Sequence, residues 1–182
     1  MEVRNYKIRK NQIKQIVIEG SGQYVVELVG RGARAEIIGA LTASGAEELH
    51  VDVTTYHRVA DTSADTFIRA VASDRSKVVL SGMIKIFRGA QKTNAFLTEN
   101  VLIISDRAKA DAVPKLEIEA DDVRASHAAT VSKINEEQLF YLCSRGLSEQ
   151  TARELIVDGF LDVARKRIRR KNPPSLKLRK GR

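Results

Sequence analysis

Cysteine is almost absent from this chain of 182 residues, and its scarcity limits the metal chemistry that the chain can perform alone. The single thiol, Cys143, has no partner for an intramolecular disulfide, and no CxxC pair could hold zinc or an iron–sulfur cluster. Any metal site would therefore need other residues or another chain. The sequence also lacks the run of about 18 apolar residues that a membrane-spanning helix needs, and its charged start does not lead into a signal peptide. We expect a cytoplasmic protein.

Common catalytic motifs are also missing. There is no P-loop ending in GK[ST], no GxSxG nucleophile elbow and no HExxH helix, so phosphate binding, acyl transfer and zinc hydrolysis each lack their first requirement. We therefore expect a protein that is not an enzyme. The main enzymatic alternative is a lyase-like β-helix acting on carbohydrate, which would have to use the carboxylates at residues 117–121.

The net charge of +8 is concentrated at one end of the chain. Ten Lys or Arg residues and no acid lie between Arg165 and Arg182, so the remaining residues carry a net charge of −2. Only this end could bind nucleic acid through phosphate contacts, and such binding is a further alternative function. Because basic runs broken by prolines are commonly disordered, we expect residues 170–182 to form a solvated, disordered tail.

Short β-prone segments fill most of the chain before residue 132. Period-two alternation is clear in SGMIKIF, where Met83, Lys85 and Phe87 share one side of the strand. No helical pattern of ten or more residues separates the segments, which argues against an open βαβ sheet. The predicted strands are IKQIVI (13–18), YVVEL (24–28), AEIIGAL (35–41), LHVDVTTY (49–56), DTFIRAV (65–71), SKVVLSGMIKIF (76–87), NVLIIS (100–105), KLEIEA (115–120) and VRASHAATVS (123–132).

Turn chemistry favours a solenoid over a sandwich of hairpins. Neither Asn-Gly nor Asp-Gly, the usual hairpin turns, occurs before residue 132. A corner of small and basic residues recurs instead. The last four of its copies start 14, 18 and 16 residues apart, at residues 73, 87, 105 and 121. Imperfect recurrence of this kind is typical of a parallel β-helix.

The periodicity changes to that of helices after Ile134. Asn135 followed by Gln138 has the form of a capping box, and Gly146 is a typical helix stop. Ser148 then caps a second helix that carries an apolar stripe. We predict a β-helix core over residues 1–134 and a two-helix segment over 135–169.

Specific motifs resemble a known family. The stretch PKLEIEADDVRASHAATVSKINEEQLFYLCSRGLSEQTARELIVDGFL (114–161) is similar to the C-terminal signature of SufB/SufD proteins of the SUF iron–sulfur cluster assembly system. That signature has a P-x-LEI-x-ADDV strand, an S-H-G-A-T turn and an FYL-x-SRG helix. Residues 55–105 are similar to the preceding part of the family, and the resemblance covers roughly residues 35–168.

The resemblance implies both a fold and a function. It implies a right-handed parallel β-helix with terminal helices, whose members pair with a like subunit, as homo- or heterodimers, and dock a SufC-type ATPase. A transient iron–sulfur cluster would be held at the subunit interface rather than by this chain alone. The chain would be a short form, a fragment or a minimal homologue of the family, because members usually carry a longer N-terminal region.

Departures from the family pattern affect the expected cluster ligands. Ala125 stands where a cysteine is common, Ala128 replaces the following glycine, and the assembly cysteine of SufB-type members falls near Glu99. Thiolates are the preferred ligands of iron in clusters, so independent cluster binding is not expected.

His127 is the leading site candidate, as a ligand to iron at the interface, because it matches the histidine of the family turn. A second group consists of carboxylates that could offer oxygen ligands, namely Glu99 together with a predicted row on one strand face. That row comprises Glu117, Glu119 and Asp121. His50 and His57 are expected at the surface or as capping residues. Candidates for ATPase docking are Phe140, Tyr141, Arg145, Leu155 and Phe160.

Overall fold

The structure is a computed structural model that describes residues 1–170. Ten β-strands come first and two α-helices follow. Apart from Arg170, the predicted basic tail lies outside the described residues. The helices are α1 (Glu136–Ser144) and α2 (Glu149–Arg169). The strands are β1 (Val3–Ile8), β2 (Ile13–Ile18), β3 (Gly22–Leu28), β4 (Arg34–Ala43), β5 (Glu48–His57), β6 (Ser63–Ala72), β7 (Lys77–Ile86), β8 (Thr93–Ile103), β9 (Lys109–Ile118) and β10 (Val123–Lys133).

The strands form two parallel sheets that are filled alternately along the chain. Sheet A has the order β1-β3-β5-β7-β9, and sheet B has the order β10-β8-β6-β4-β2. Each coil therefore contributes one strand to each sheet, and Glu48 of one coil pairs with Lys77 of the next, which pairs with Lys109. The predicted fold class, a mainly β parallel solenoid followed by a two-helix segment, is confirmed.

Period-two burial explains how the two sheets enclose a core. On β5, for example, Val51, Val53 and Thr55 are buried, whereas the residues between them are partly exposed. Inward side chains from both sheets meet in one apolar cluster that includes Ile8, Ile37 and Leu80, each 0% exposed. Because every strand buries only one row of side chains, the core depends on stacking between successive coils.

Two details differ from the sequence-based expectation. Strand β1 was not predicted, and its alternating, largely exposed pattern shows why: an edge strand has little apolar signal. The strand predicted at 115–120 is also longer and begins earlier, because β9 runs from Lys109 to Ile118. The spacing of the predicted corners corresponds to one strand with its turn, which is half a coil.

The helices cover part of the outer face of sheet B. Asn135 and Ser148 are the N-caps, and their side chains accept hydrogen bonds from the backbone N–H groups of Gln138 and Thr151, as predicted. Helix α2 packs over β4 and β6 through apolar side chains such as Leu161 and Ala164. No helix within residues 1–170 is long and apolar enough to cross a membrane.

Polar contacts attach α2 to the strands beneath it. Arg69 of β6 donates to the Phe160 carbonyl oxygen over 2.7 Å, and its guanidinium lies against the Phe160 ring. Arg167 donates to the Asp65 carboxylate over 3.0 Å. These contacts fix the helix over the middle coils and leave β9 and β10 uncovered.

Candidate interface at the open end of the solenoid

The last coil of the solenoid, formed by β9 and β10, is open on one side. Each of these strands is the terminal strand of its sheet, so each has a hydrogen-bonded neighbour on one side only. The inward side chains of β9, such as Ala110, Ala112 and Leu116, are half-buried, whereas their counterparts in β7 are buried. An uncovered pair of edge strands with apolar inward residues is a typical site for strand addition by another chain.

His127 lies in the middle of this open coil. It pairs in register with Leu97 of β8, whose side chain faces the interior and is 2% exposed. Paired residues of a parallel sheet point to the same face, so His127 belongs to the inward row of β10. Its side chain is nevertheless exposed, because no further coil covers it.

Glu99 lies one strand further inside and is fully buried. Its side chain is 0% exposed, and neither carboxyl oxygen has a hydrogen-bond partner among the described residues. Gly82 on the facing sheet leaves the room for this side chain, since a Cβ at that position would lie 2.8 Å from the Glu99 Oε1 atom. Burial raises the pKa of Glu99 to about 7, and the negative charge of Asp52 adds a smaller effect in the same direction.

His127 and Glu99 share the inward face of sheet B on adjacent strands. Glu99 pairs with Ala129, and Ala129 is two residues beyond His127, so the two candidates are diagonal neighbours. Only the small side chain of Ala129 lies directly over Glu99 on the open side. An imidazole nitrogen and a carboxylate oxygen are both suitable ligands for iron. Within residues 1–170, no group of three His, Cys, Asp or Glu side chains could hold a metal ion.

The predicted row of carboxylates has a different environment. Glu117 and Glu119 both contact the Lys85 ammonium, at 2.6 Å and 3.4 Å, on the outer face of sheet A. The strand ends at Ile118, so Asp121 lies in the following corner rather than on the strand. The ion pairs raise the pKa of Lys85, chiefly through its hydrogen bond to Glu117. Glu117 and Glu119 therefore lie on an outward surface beside Lys85, away from the inward row that contains His127.

The expectation that His57 is a surface or capping residue was wrong. Its side chain is 0% exposed, and its Nδ1 atom lies 2.8 Å from the Thr62 hydroxyl. Burial lowers its pKa to about 4. The alternation along β5 could have predicted this burial, because His57 is in step with the inward residues Val51, Val53 and Thr55. His50 is on the outward phase of the same strand and lies 3.2 Å from the Glu48 carboxylate.

The candidates for docking on the helices divide into two groups. Phe140 and Tyr141 are 76% and 55% exposed, and Arg145 lies over the Tyr141 ring. Leu155 is 53% exposed and borders a cavity between the helices and the end of β10. The Phe160 ring instead contacts the Arg69 guanidinium and packs against the apolar cluster between the helices and sheet B. Among these candidates, the exposed apolar side chains are therefore Phe140, Tyr141 and Leu155.

Sequence reasoning missed two positions that shape the site. Gly82 and Ala129 have no functional groups, yet they provide the space around the Glu99 side chain. The alternation Ala95, Leu97, Glu99, Val101 was a usable signal, because it places Glu99 in an apolar, inward row. The identity of the facing residue, Gly82, depends on how the two sheets stack.

This fold and site define a two-sheet parallel β-solenoid with C-terminal helices and an open terminal coil. Residues 15–160 match the family described as SUF system FeS cluster assembly, SufBD core domain, and the chain belongs to that family. The predicted family membership is confirmed.

Named relatives agree with the family assignment. The chain is 42% identical over 92 residues to the iron–sulfur cluster assembly protein SufD of Escherichia coli (strain K12), a match that covers 50% of this chain and 22% of SufD. It is 32% identical over 141 residues to an iron–sulfur cluster assembly SufBD family protein of Staphylococcus saprophyticus, covering 78% of this chain and 30% of the relative. The chain thus spans less than a third of the length of these relatives.

Proposed function

We propose that this chain is a non-catalytic scaffold subunit of the cytoplasmic SUF iron–sulfur cluster assembly machinery. It pairs with a like subunit through the open coil formed by β9 and β10 and docks a SufC-type ATPase through its two helices. A transient iron–sulfur cluster is the cargo at the subunit interface. The observation that carries the proposal is the placement of His127 and Glu99 at the open end, in a chain of the SufBD family.

The chemistry of the open end supports an interface rather than a self-contained metal site. His127 is exposed and inward-facing, and Glu99 lies buried one strand away, so the two side chains offer one nitrogen and one carboxylate group to an iron ion. Clusters need more ligands than these, and a partner subunit stacked on the same edge could supply them. Its backbone would also complete the unpaired hydrogen bonds of β9 and β10.

Anaerobic reconstitution with iron and sulfide tests the cargo proposal. The chain would be reconstituted alone and with a like subunit and a SufC-type ATPase, with visible absorbance and iron content as readouts. We expect bound cluster only in the complex and a large loss on replacing His127→Ala. His50→Ala is the matched control, because His50 lies on the outer face of sheet A. Cluster loading that is equal in both variants would contradict a role for His127.

Docking of the ATPase is tested separately on the helices. Leu155→Ala should weaken retention of a purified SufC-type ATPase in a pull-down, because truncating an exposed apolar anchor removes buried contact area from an interface. Ile13→Ala is the matched control, since Ile13 is 55% exposed and lies on β2, at the other end of the solenoid from β10. Phe140→Ala extends the test to α1. Equal retention by all three variants and the native chain would contradict docking through these helices.

A further inference from the structure

The corners that lead from sheet A to sheet B are strongly basic in the first four coils. These corners are residues 9–12, 29–33, 58–62 and 87–92. Together they contain six Lys or Arg residues and one acid, Asp61. A seventh cation, Arg34, follows the second corner as the first residue of β4. The seven cations, here called the basic ridge, are all exposed, and they are Arg9, Lys10, Arg31, Arg34, Arg58, Arg88 and Lys92.

Other corners of the solenoid have the opposite balance of charge. The corners that return from sheet B to sheet A are residues 19–21, 44–47, 73–76 and 104–108, and they contain four acids and two arginines. The fifth corner from sheet A to sheet B, residues 119–122, contains three acids and no cation. The small net charge of residues 1–164 therefore hides a one-sided distribution, which appears only when the coils are stacked.

Backbone hydrogen bonds hold successive corners of the ridge against one another. The Asn11 N–H donates to the Arg31 carbonyl oxygen over 3.0 Å, and the Gly32 N–H donates to that of Asp61 over 2.9 Å. The Asp61 N–H in turn donates to the Gln91 carbonyl oxygen over 2.9 Å. Neighbouring strands are about 4.8 Å apart, so the ridge follows the solenoid axis for about 14 Å from its first corner to its fourth.

Most of the ridge is not neutralised by neighbouring acids. Arg31 forms an ion pair with Asp61, and Arg58 forms one with Glu27 over 2.7 Å. The other five cations have no ion-pair partner among residues 1–170. Because like charges on adjacent coils repel, this arrangement lowers the stability of the fold. A local arrangement that costs stability is a candidate for function.

The end of α2 lies beside the ridge and adds to its charge. The Gln15 side chain donates to the Arg170 carbonyl oxygen over 3.3 Å, and Arg167 donates to the Asp65 carboxylate over 3.0 Å. Gln15 and Asp65 are each the third residue of their strand, so both lie close to a corner of the ridge. Arg169 and Arg170 are exposed at this end of the helix, and five more cations follow them in the sequence.

The shape and chemistry of the ridge favour a phosphate polymer as its ligand. A compact anion would contact one or two coils, whereas a chain of regularly spaced charges can follow all four. Five of the seven cations are arginines, whose planar guanidinium groups match phosphate oxygens in a bidentate geometry. Protein interfaces are instead built around an apolar or aromatic centre. The other exposed residues of these corners are Asn11, Gln12, Val29 and Gly89.

We infer that the basic ridge, together with the end of α2, binds the phosphate backbone of a nucleic acid. This activity is separate from the proposed scaffold function, because the ridge belongs to the first four coils and the proposed subunit contact belongs to β9 and β10. Each phosphate contact on a single strand releases counterions. Five unpaired cations should therefore give a slope of about −3 or steeper when the logarithm of the binding constant is plotted against the logarithm of the salt concentration.

Fluorescence anisotropy with a labelled oligo(dT) of about 20 nucleotides tests the inference in the full-length chain. Replacing Arg34→Gln together with Arg88→Gln should raise the Kd about tenfold or more at roughly 0.1 M salt and make the slope shallower by about 1.4. The matched control is Arg75→Gln with Arg107→Gln, which removes the same charge from exposed positions at the opposite corners. The control should raise the Kd less than about twofold, because salt screens distant charges.

Two further arms separate the ridge from other sources of binding. The variant Lys177→Gln, Arg179→Gln, Lys180→Gln removes cations beyond Arg170, and the ridge substitutions should still weaken binding in that background. Equal losses in the ridge and control pairs, or a loss confined to the variant beyond Arg170, would overturn the inference. A native chain that binds phosphatidylglycerol vesicles but not the oligonucleotide would overturn it as well.

Iron–sulfur cluster reconstitution distinguishes this inference from the proposed function. The ridge variant should load cluster in the complex as the native chain does, because its substitutions lie away from His127 and Glu99. Loss of oligonucleotide binding with normal cluster loading is the expected result. Equal loss of both activities would show that the substitutions damage the fold and would contradict a separate binding site on the ridge.

Discussion

The middle coils and the last coil are built from the same repeat, yet they differ in what covers their inward side chains. In the middle of the solenoid Ile68 and Ala70 are 0% exposed, because a coil stacks on each side of them. In the last coil Ala112 is half-buried and His127 is exposed. In a solenoid each coil is buried by its two neighbours. The same alternating sequence therefore gives a closed core in the middle and a partly exposed row of inward side chains at the end.

The outer surface of sheet B shows the same division. Helix α2 covers β4 and β6 and is attached to β6 through Arg69 and Arg167, whereas the exposed β10 has no such cover. The packing that stabilises the fold is therefore concentrated in the middle coils with α2. The proposed subunit contact belongs to the open end, which neither helix covers.

Truncation of one inward residue in each region should give the largest difference. Ile68→Ala should lower the free energy of unfolding by about 2–5 kcal/mol, because it leaves a cavity in a closed core. Leu116→Ala, in the half-buried row of β9, should cost roughly half as much in dilute protein. Urea unfolding of both variants measures the contrast. Equal losses in dilute solution would mean that the last coil is already closed.

Glu99 lies at the boundary between the two regions, and its protonation should make stability depend on pH. Its pKa is raised from 4.5 to about 7 in the folded chain, so the folded state binds the proton more tightly than the unfolded state. Its contribution is complete below pH 4.5, falls as the pH rises, and is lost above pH 7. The loss is about 3 kcal/mol.

Glu99→Gln should remove this part of the pH dependence and make the chain more stable than the native form at pH 8. Urea unfolding between pH 5 and pH 8 measures the effect. Asp52→Asn is a useful comparison, because Asp52 adds only the smaller contribution to the shift. An unchanged slope in Glu99→Gln would show that its carboxyl group is not buried as described.

His57, inside the closed coils, should act in the opposite direction. Its pKa is lowered from 6.5 to about 4, so the unfolded chain takes up the proton more readily. Its contribution to stability is complete above pH 6.5, declines as the pH falls, and is lost below pH 4, a loss of about 3 kcal/mol. His57→Gln should flatten the acidic limb of the stability profile in urea unfolding, and a limb of unchanged steepness would contradict the burial of His57.

The smallest expected effect concerns the helix that covers only the middle coils. Ser148→Ala removes the hydroxyl that accepts the Thr151 N–H over 3.2 Å, so it should lower the free energy of unfolding by about 1 kcal/mol. Ser144→Ala, at the exposed end of α1, should change it by less than about 0.5 kcal/mol. Thermal unfolding of the two variants tests whether α2 is part of the stable unit. Equal losses of stability in the two variants would contradict it.

Much of this fold could be predicted from local patterns. Period-two alternation predicted most strands, and the caps at Asn135 and Ser148 predicted both helix starts. The same alternation, followed further, would have placed His57 and Glu99 inside. Inward residues on a strand are two positions apart, so the known inward residues of a strand identify the others.

The rest depends on contacts between residues far apart in the chain. That β9 is an edge strand follows from which coil is last in the stack, and that Gly82 makes room for Glu99 follows from how the sheets face each other. Neither relation leaves a local signal. The weak apolar pattern of β1 was missed for a related reason, since an edge strand needs few apolar residues.

Hydrogen exchange at the edge strand tests the central claim most directly, because it reports whether the open end is a subunit interface. The N–H groups of Lys109 and Glu119 donate to sheet A, so the odd-numbered residues of β9 bond to β7. The amides of Ala110, Ala112 and Leu116 therefore face the open side and should exchange rapidly in dilute protein. They should become protected when a like subunit is added or when the chain is concentrated, while amides of β6 stay protected throughout. Edge amides that exchange at the same rate with and without a partner would contradict the account.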